Sequence, residues 1–371
     1  MRILMSADTV GGVWSYALDL MRALPQHDFT LASMGKMPSP AQCARIAALP
    51  NATLEASTWK LEWMENPWDE VARAGTWLLE LEAQTRPDIV HLNTLAHGDL
   101  AFGAPKIGVG HSCVCSWYRA VKGQAAPASW DVYRKRVRAG LRGADVVVAP
   151  TRAFLGELEL LYGPFADARA IYNGAGLAPA SNLSLSPVPR LEAGASPALK
   201  EPFVLAAGRV WDEAKNIALL DRIAPAVRWP LRVAGEVSMN GAAFEARHLE
   251  LLGFVEGQTW RDLRARAAIW AHPARYEPFG LAVAEAALDG CALVLSDIPT
   301  LRELWEGAAI FVAPDDESGW TRALNRLAEA SDLRAEWGER ARARAAKFSL
   351  EALGESYERL YREFVVAPQG A

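Results

Sequence analysis

Short apolar segments recur along the sequence, and each is followed by turn residues and then by a helical pattern. Their side chains are apolar without alternation, which is typical of strands buried on both faces, as in parallel sheets covered by helices. Strands that alternate with helices form βαβ units, so the chain is predicted to be α/β and doubly wound. The segments are residues 2–6, 89–93, 106–110, 145–149, 169–172, 203–207, 231–234, 268–272, 292–296 and 310–313.

The chain has 371 residues, more than one hydrophobic core usually serves, so two domains are expected. Residues 177–200 are dense in Pro, Ser and Ala without helical or strand periodicity, which indicates a linker. We therefore predict a first domain over 1–176, a second over 201–348, and a C-terminal helix over 349–371 that packs back toward the first. Open parallel sheets bind ligands beyond the carboxyl ends of their strands. Two such domains would face one another across a cleft.

Charge and cysteine content exclude several classes of protein. The formal net charge of −5 argues against general nucleic-acid binding, which needs a basic face. Four irregularly spaced cysteines suit a reducing compartment, and the sequence has neither a charged leader nor an apolar run long enough to span a membrane. These features predict a cytoplasmic protein. No Gly-x-Gly-x-x-Gly follows a predicted strand, which disfavours a hydride-transfer enzyme.

Two cations follow the predicted strand at residues 203–207. Gly208 leads directly into Arg209, and Lys215 lies six residues further on, where the next helix opens. Cations at a strand end beside a helix N-terminus can bind a diphosphate. The alternative is that both are surface side chains of a loop.

The segment 272–286 combines a strand end, a turn and a helix start. Pro278 suits a first helical position, and Gly280 allows a ligand to approach the backbone. The free amides of that turn can bind phosphate or sugar oxygens. Glu285 lies further along the helix among apolar residues, where an unpaired carboxylate is costly, so it needs a partner. A ribose diol suits it; the alternative is a structural Glu paired with a buried Arg.

The sequence Glu277-Pro278-Phe279-Gly280-Leu281, with Glu285 after it, resembles the donor motif of a known family. This is the retaining GT-B glycosyltransferase family GT4 (glycosyl transferases group 1), which includes sucrose-phosphate and mannosyl transferases. The resemblance implies two Rossmann-like domains facing across a cleft. It extends to Gly11-Gly12, His111-Ser112, Tyr172-Asn173-Gly174, Gly208-Arg209, Lys215-Asn216 and Leu252-Gly253-Phe254.

The resemblance implies roles for particular residues of the donor site. Arg209 and Lys215, with the amides of Phe279, Gly280 and Leu281, would neutralise the diphosphate of a nucleotide sugar. Glu285 would hold the ribose hydroxyls and Glu277 the hydroxyls of the donor sugar. The turn at Gly235 and the Gly253-Phe254 segment would flank the nucleoside. In the first domain, Gly11 and Gly12 would approach the sugar and phosphate, and His111 would hydrogen-bond the transferred sugar.

The same resemblance implies a metal-independent reaction with retention of configuration and no cofactor. The sequence contains no Asp-x-Asp, in keeping with cations and helix-end amides that offset the leaving-group charge. In this family, departure and attack on one face is the favoured account, so Glu277 is expected to bind hydroxyls and is not expected to be a nucleophile.

The acceptor side is predicted less sharply, as a glycan or a lipid-linked sugar. Asn93 ends one predicted strand, His97 follows it, and Trp117-Tyr118 lie just beyond His111, so these four residues are candidate acceptor contacts. The basic run 134–142 can attract anionic lipid or a phosphorylated acceptor at the inner face of a membrane, or it forms a solvated helix face.

Two other functions fit the same architecture. A nucleotide-sugar epimerase would need acid and base groups around the sugar, and the spacing of Glu277 and Glu285 speaks against it. A non-catalytic nucleotide-sugar-binding protein would bind the donor without transfer or hydrolysis. The sequence identifies neither the nucleotide base nor the sugar and acceptor.

Overall fold

The computed structural model describes residues 1–9, 11–176, 200–239 and 242–366. The chain divides into two compact units, unit 1 (Met1–Gly174 with Ser349–Ala371) and unit 2 (Ala175–Phe348). The predicted linker, 177–200, lies outside the described residues except for Lys200.

Unit 1 is built on a seven-stranded parallel sheet. Its strands are β1 (Arg2–Asp8), β2 (Asp28–Met34), β3 (Ala52–Ala56), β4 (Ile89–Leu92), β5 (Lys106–Val109), β6 (Val146–Ala149) and β7 (Ala168–Ala170). Its first helices are α1 (Gly12–Ala23), α2 (Pro40–Ala47), α3 (Trp68–Thr85), α4 (Val114–Lys122), α5 (Asp131–Gly143) and α6 (Arg152–Tyr162). The strand order β3-β2-β1-β4-β5-β6-β7 places a topological switch point between β1 and β4.

Unit 2 repeats this plan with a six-stranded parallel sheet and a short antiparallel hairpin. Its strands are β8 (Glu201–Ala207), β9 (Leu231–Ala234), β10 (Ser238–Met239), β11 (Ala242–Ala243), β12 (Glu250–Gly253), β13 (Ala267–His272), β14 (Ala292–Ser296) and β15 (Ile310–Val312). Its helices are α7 (Ile217–Ile223), α8 (Gly257–Arg266), α9 (Leu281–Leu288), α10 (Pro299–Trp305), α11 (Glu317–Glu329) and α12 (Ser331–Ala345). The order β12-β9-β8-β13-β14-β15 puts its switch point between β8 and β13.

Both faces of the first sheet are buried, as its apolar strands predict. Ile3 and Met5 of β1 join one core cluster, whereas Leu4 joins another that includes Leu78 of α3. Successive side chains of a strand point to opposite faces, so helices cover both sides of the sheet. The last helix, α13 (Leu350–Val366), contributes Leu353, Tyr357, Leu360 and Tyr361 to the first of these clusters.

The prediction of two doubly wound parallel α/β domains is confirmed. The sequence-based prediction missed β2, β3, β12 and the β10–β11 hairpin. β3 and β12 are edge strands whose residues are half-buried or exposed, so they lack a continuous apolar run. Within the described residues, no helix has the length and apolar character required to span a membrane.

Candidate functional site

The switch point of unit 2 brings a buried ion pair together. Lys215 ends a turn of 3-10 helix that follows β8, and Glu277 lies in the loop after β13. The Lys215 Nζ is 2.6 Å from Oε2 of Glu277, and both side chains are largely buried. The stem of Lys215 passes over Gly208, where an added Cβ would lie 3.2 Å from its Cγ. Two of the predicted site residues therefore meet at the predicted edge of the sheet.

Glu277 is held by a second partner that sequence reasoning did not single out. The Nε2 of His272, the last residue of β13, lies 3.0 Å from the same Oε2. Burial raises the pKa of Glu277, but attraction to Lys215 and the hydrogen bond with His272 outweigh it and hold that pKa well below its usual range. The Glu277 side chain is thus ionised near pH 7. The position of His272 at a strand end was the available signal.

The charge of Arg209 is paired with that of a carboxylate, Asp212. Its Nη2 lies 2.7 Å from Oδ2 of Asp212, and its guanidinium lies 5.6 Å from the ring centre of Trp211. Its side chain is 46% exposed, so it remains accessible to a ligand. The prediction of two cations at this strand end holds for their location, but each of them has a carboxylate partner.

The structure also gives an intramolecular reason for the glycine at position 280. Gly280 has φ +89° and precedes α9, whose first residue is Leu281. An added Cβ would lie 3.3 Å from Cγ of Glu277, so a glycine here makes room for that side chain as well as for the left-handed backbone. The side chain of Phe279 is buried against Phe348, with ring centres 5.6 Å apart. The side chain of Phe279 therefore has a packing role, and the binding role of its amide stays a prediction.

Glu285 does have a buried arginine partner. The Nη1 of Arg264 is 2.5 Å from its Oε2, and the indole nitrogen of Trp260 donates to the same oxygen at 3.3 Å. The alternative interpretation of Glu285, a carboxylate paired with a buried Arg, is thus correct as far as the pairing goes. The Glu285 side chain is nevertheless 32% exposed, against 4% for Arg264, so its carboxylate still reaches the surface.

Backbone contacts join the segments that follow β8 and β9 to the end of β12. Gly235, with φ +144°, donates its N–H to the carbonyl of Gly253 at 2.7 Å. An added Cβ on Gly235 would lie 1.7 Å from the carbonyl oxygen of Gly208, so the loops after β8 and β9 touch through their backbones. Phe254 follows β12 with 68% of its surface exposed.

In unit 1, the predicted residues lie on loops after β1, β4 and β5. Gly11 has φ +80° and precedes α1, which Gly12 opens, and both are exposed. The Nε2 of His111 lies 2.7 Å from Oδ1 of Asn93. The Nδ2 of Asn93 donates to the carbonyl of Ser6 at 2.7 Å. Asn93 thus supports His111, and its predicted contact with the acceptor stays a prediction.

This chain of hydrogen bonds determines the tautomer of His111. Because the amide nitrogen of Asn93 donates to Ser6, its Oδ1 must accept, and the Nε2 of His111 must carry the proton. Burial lowers the pKa of His111 to about 3, so the ring is neutral near pH 7. Its Nδ1 is then a hydrogen-bond acceptor that suits a hydroxyl group.

Of the other candidate acceptor contacts, His97 is buried, whereas Trp117 and Tyr118 are partly accessible. His97 is 1% exposed, and its ring nitrogens lie 2.9 Å from Oγ1 of Thr94 and 3.0 Å from the carbonyl of Val71, so it has a structural role. Trp117 and Tyr118 are half-buried on α4, with ring centres 5.3 Å apart. They keep an accessible aromatic surface.

The low pKa of His111 predicts how stability depends on pH. Between pH 6.5 and 3 the unfolded chain binds a proton at this residue and the folded chain does not, so stability falls as pH is lowered through this window. His111→Gln removes this group and should make the slope of unfolding free energy between pH 6 and 4 shallower by about 1.3 kcal/mol per pH unit. Denaturant titrations over pH measure it. The exposed His248→Gln is the control, and an unchanged slope for His111→Gln contradicts the prediction.

Within the described residues, no group of three His, Cys, Asp or Glu side chains is arranged to hold a metal ion. Metal independence of the reaction stays a prediction.

Comparison with known proteins gives two family matches. Residues 10–178 match the model described as Glycosyltransferase Family 4, and residues 201–330 match Glycosyl transferases group 1. A D-inositol 3-phosphate glycosyltransferase of Corynebacterium jeikeium is 37% identical over 99 residues, which are 26% of this chain and 24% of that protein. The match therefore spans about a quarter of that relative.

Solved structures match along nearly the whole chain. The sucrose-phosphate synthase of Thermosynechococcus elongatus has a TM-score of 0.73 at 17% identity, over 99% of this chain and 100% of that one. The HepE protein of Anabaena, crystallised with UDP and glucose, has a TM-score of 0.73 at 17% identity, over 98% of this chain and 100% of that one. At this identity the likeness shows a shared fold.

Proposed function

The chain belongs to glycosyltransferase family 4, and from this premise we propose that it transfers a hexose-type sugar from a nucleotide-diphosphate sugar with retention of configuration. The acceptor is a glycan or a lipid-linked sugar. The observation that carries the proposal is the buried Lys215–Glu277 pair at the switch point of unit 2, beside the N-terminus of α9. A diphosphate needs a cation and free amides at one place, and a sugar needs a fixed carboxylate next to them.

The donor binds through separate groups of unit 2. The ammonium of Lys215 has three N–H donors, so it can bind the diphosphate while it keeps its contact with Glu277. Arg209 adds a second, more exposed cation, and the amides of the Gly280–Leu281 turn add further donors. Glu285 accepts from the ribose hydroxyls. Phe254, with its exposed ring, and the glycines at 235 and 253 flank the nucleoside.

The bond between the anomeric carbon and the nucleoside diphosphate breaks as the acceptor oxygen bonds to that carbon on the same face. The proton of the acceptor hydroxyl passes to an oxygen of the leaving phosphate. Lys215 and the helix-end amides stabilise the charge that develops on the leaving phosphate, which requires no metal. Glu277 accepts hydrogen bonds from sugar hydroxyls. Because its Oε2 is already engaged by Lys215 and His272, it is poorly suited to act as a nucleophile.

Unit 1 contributes contacts to the transferred sugar and the acceptor. His111 accepts a hydrogen bond from a sugar hydroxyl at Nδ1, and the backbone at Gly12 approaches the sugar and phosphate. Trp117 and Tyr118 offer aromatic surface to the acceptor. No cofactor takes part.

The acceptor is used in the cytoplasm, at the inner face of a membrane if it is lipid-linked. On α5 the side chains of Tyr133, Val137 and Leu141 are buried, whereas Lys135, Arg138 and Arg142 are exposed. This cationic face suits contact with anionic lipid. Co-sedimentation with anionic vesicles, and none with neutral vesicles, tests the contact.

Incubation with UDP-, GDP- and ADP-sugars is expected to release the nucleoside diphosphate from at least one of them, slowly without acceptor. Excess EDTA should leave the rate unchanged, because the charge stabilisation comes from Lys215 and backbone amides. Chromatography of the nucleotides measures both. A manganese requirement contradicts the metal-free reaction. Binding without release, detected as thermal stabilisation, indicates a non-catalytic nucleotide-sugar-binding protein instead.

A further inference from the structure

Arg264 lies between two carboxylates of the neighbouring helix. It belongs to the last turn of α8, and its side chain is 4% exposed. Its Nη1 contacts Glu285 at 2.5 Å, and its Nε contacts Oδ2 of Asp289. Glu285 and Asp289 are four residues apart, so they lie on one face of the helix end. The single guanidinium group of Arg264 therefore binds both carboxylates.

Trp260 completes the arrangement from the same helix as Arg264. Its ring centre lies 5.5 Å from the guanidinium carbon, within the range of a cation–π contact. Its indole N–H donates to Oε2 of Glu285, the same oxygen that Arg264 binds. Two donors thus converge on one oxygen of a carboxylate that is otherwise partly exposed.

The two carboxylates that Arg264 binds differ in exposure. Arg264 faces two carboxylates, and Glu285 is the more exposed of the two, at 32% against 12% for Asp289. The second carboxylate holds Arg264 in place, so Glu285 can share its charge with a ligand.

We propose that Arg264 is the positioning residue for ribose recognition: together with Trp260 it fixes Oε2 of Glu285 and so orients the carboxylate toward the two ribose hydroxyls. This inference rests on the proposed function of unit 2 as a nucleotide site. If Arg264 has this role, the affinity for the diphosphate and the affinity for the ribose depend on different residues. The diphosphate depends on Lys215 and Arg209, whereas the ribose depends on Arg264 through Glu285.

The test compares a nucleoside diphosphate with its 2′-deoxy counterpart by titration calorimetry, using whichever of UDP, GDP and ADP the wild type binds. Arg264→Lys keeps the positive charge but has no fork to hold both carboxylates. We expect the affinity for the ribonucleotide to fall about tenfold, the size of a lost hydrogen bond to a charged group. The 2′-deoxy nucleotide keeps only the 3′-hydroxyl for Glu285, so its affinity should fall by a smaller factor, about threefold.

Trp260→Phe is the gentler variant, because it keeps the ring over the guanidinium and removes only the N–H donor to Glu285. It should lower the preference for ribose in the same direction by a smaller factor, and it carries the test if Arg264→Lys does not fold. Arg232→Lys is the matched control, since Arg232 also pairs with a glutamate, Glu250, and lies over a ring, that of Phe203. It should leave the preference unchanged.

Equal weakening of both nucleotides by Arg264→Lys and Trp260→Phe would mean that Arg264 only supports the fold, and it overturns the inference while the donor site stands. A wild type that binds the 2′-deoxy nucleotide as tightly as the ribonucleotide also overturns it. Absence of binding by the wild type to any of the three nucleotides overturns the inference and the proposed function together.

Discussion

Lys215→Met is expected to lower kcat/KM for sugar transfer by about 10²–10³-fold, the usual effect of removing one group that stabilises a developing charge. Lys215 serves two partners: its Nζ holds Glu277 at 2.6 Å and is the least exposed cation at the proposed diphosphate site. Methionine retains an apolar stem against Gly208, so the loss reports on the charge and not on a cavity. Glu277 also loses the attraction that keeps its pKa low.

Steady-state kinetics of Lys215→Met, Glu277→Gln and the double variant measure this effect. Because the two side chains act as a pair, the double variant should be far less impaired than the product of the single effects. The exposed Lys347→Met is the control and should retain wild-type kinetics. If Lys215→Met keeps transfer within about threefold of the wild type, the cation has no role in the charge that the reaction develops.

Gly235→Ala is expected to lose nucleotide binding and to destabilise unit 2 by roughly 3 kcal/mol or more, through backbone strain and overpacking together. A Cβ at this position meets the Gly208 carbonyl oxygen at 1.7 Å, and φ is +144°, where side chains are strained. Backbone cannot rotate away as a side chain can. The two loops must therefore separate, which displaces Gly208 and the stem of Lys215 that lies on it.

Gly307→Ala is the control that separates the cost of backbone strain from the cost of the contact between the two loops. Gly307 has φ +77° but open space around the position of an added Cβ, so its substitution should cost only the left-handed conformation, about 1–2 kcal/mol. Denaturant unfolding gives the stabilities, and calorimetry the nucleotide affinity. Equal costs at the two glycines, with nucleotide affinity kept at Gly235→Ala, would show that the contact between loops does not shape the site.

The central strands of both sheets could be predicted because burial on two faces leaves a readable apolar run. Edge strands could not. β3 contains Glu55 and is mostly half-buried or exposed, and β12 begins with Glu250, so neither has a run of buried residues. β2 is well buried, yet Asp28, Thr30 and Ser33 interrupt its apolar character. Parallel pairing, which decides their place, is a tertiary property.

The location of the site could be predicted better than its contacts. Strand ends and a helix start give the positions of Lys215, Glu277 and Gly280, because the topology brings such ends to one edge. Which side chains meet there depends on packing between distant segments. The pairing of Glu285 with Arg264, and of Asn93 with His111, therefore emerged only in three dimensions.

Retention of configuration is tested most directly by the configuration of the sugar first released from an α-linked nucleotide sugar. Proton NMR spectra recorded before the free sugar equilibrates identify that anomer, with water or an added acceptor as the attacking group. A retaining, metal-independent transferase should consume the nucleotide sugar and release the nucleoside diphosphate and an α-configured first product, all in the presence of EDTA. A β-configured first product, or a nucleotide sugar that stays intact with every base tested, would contradict it.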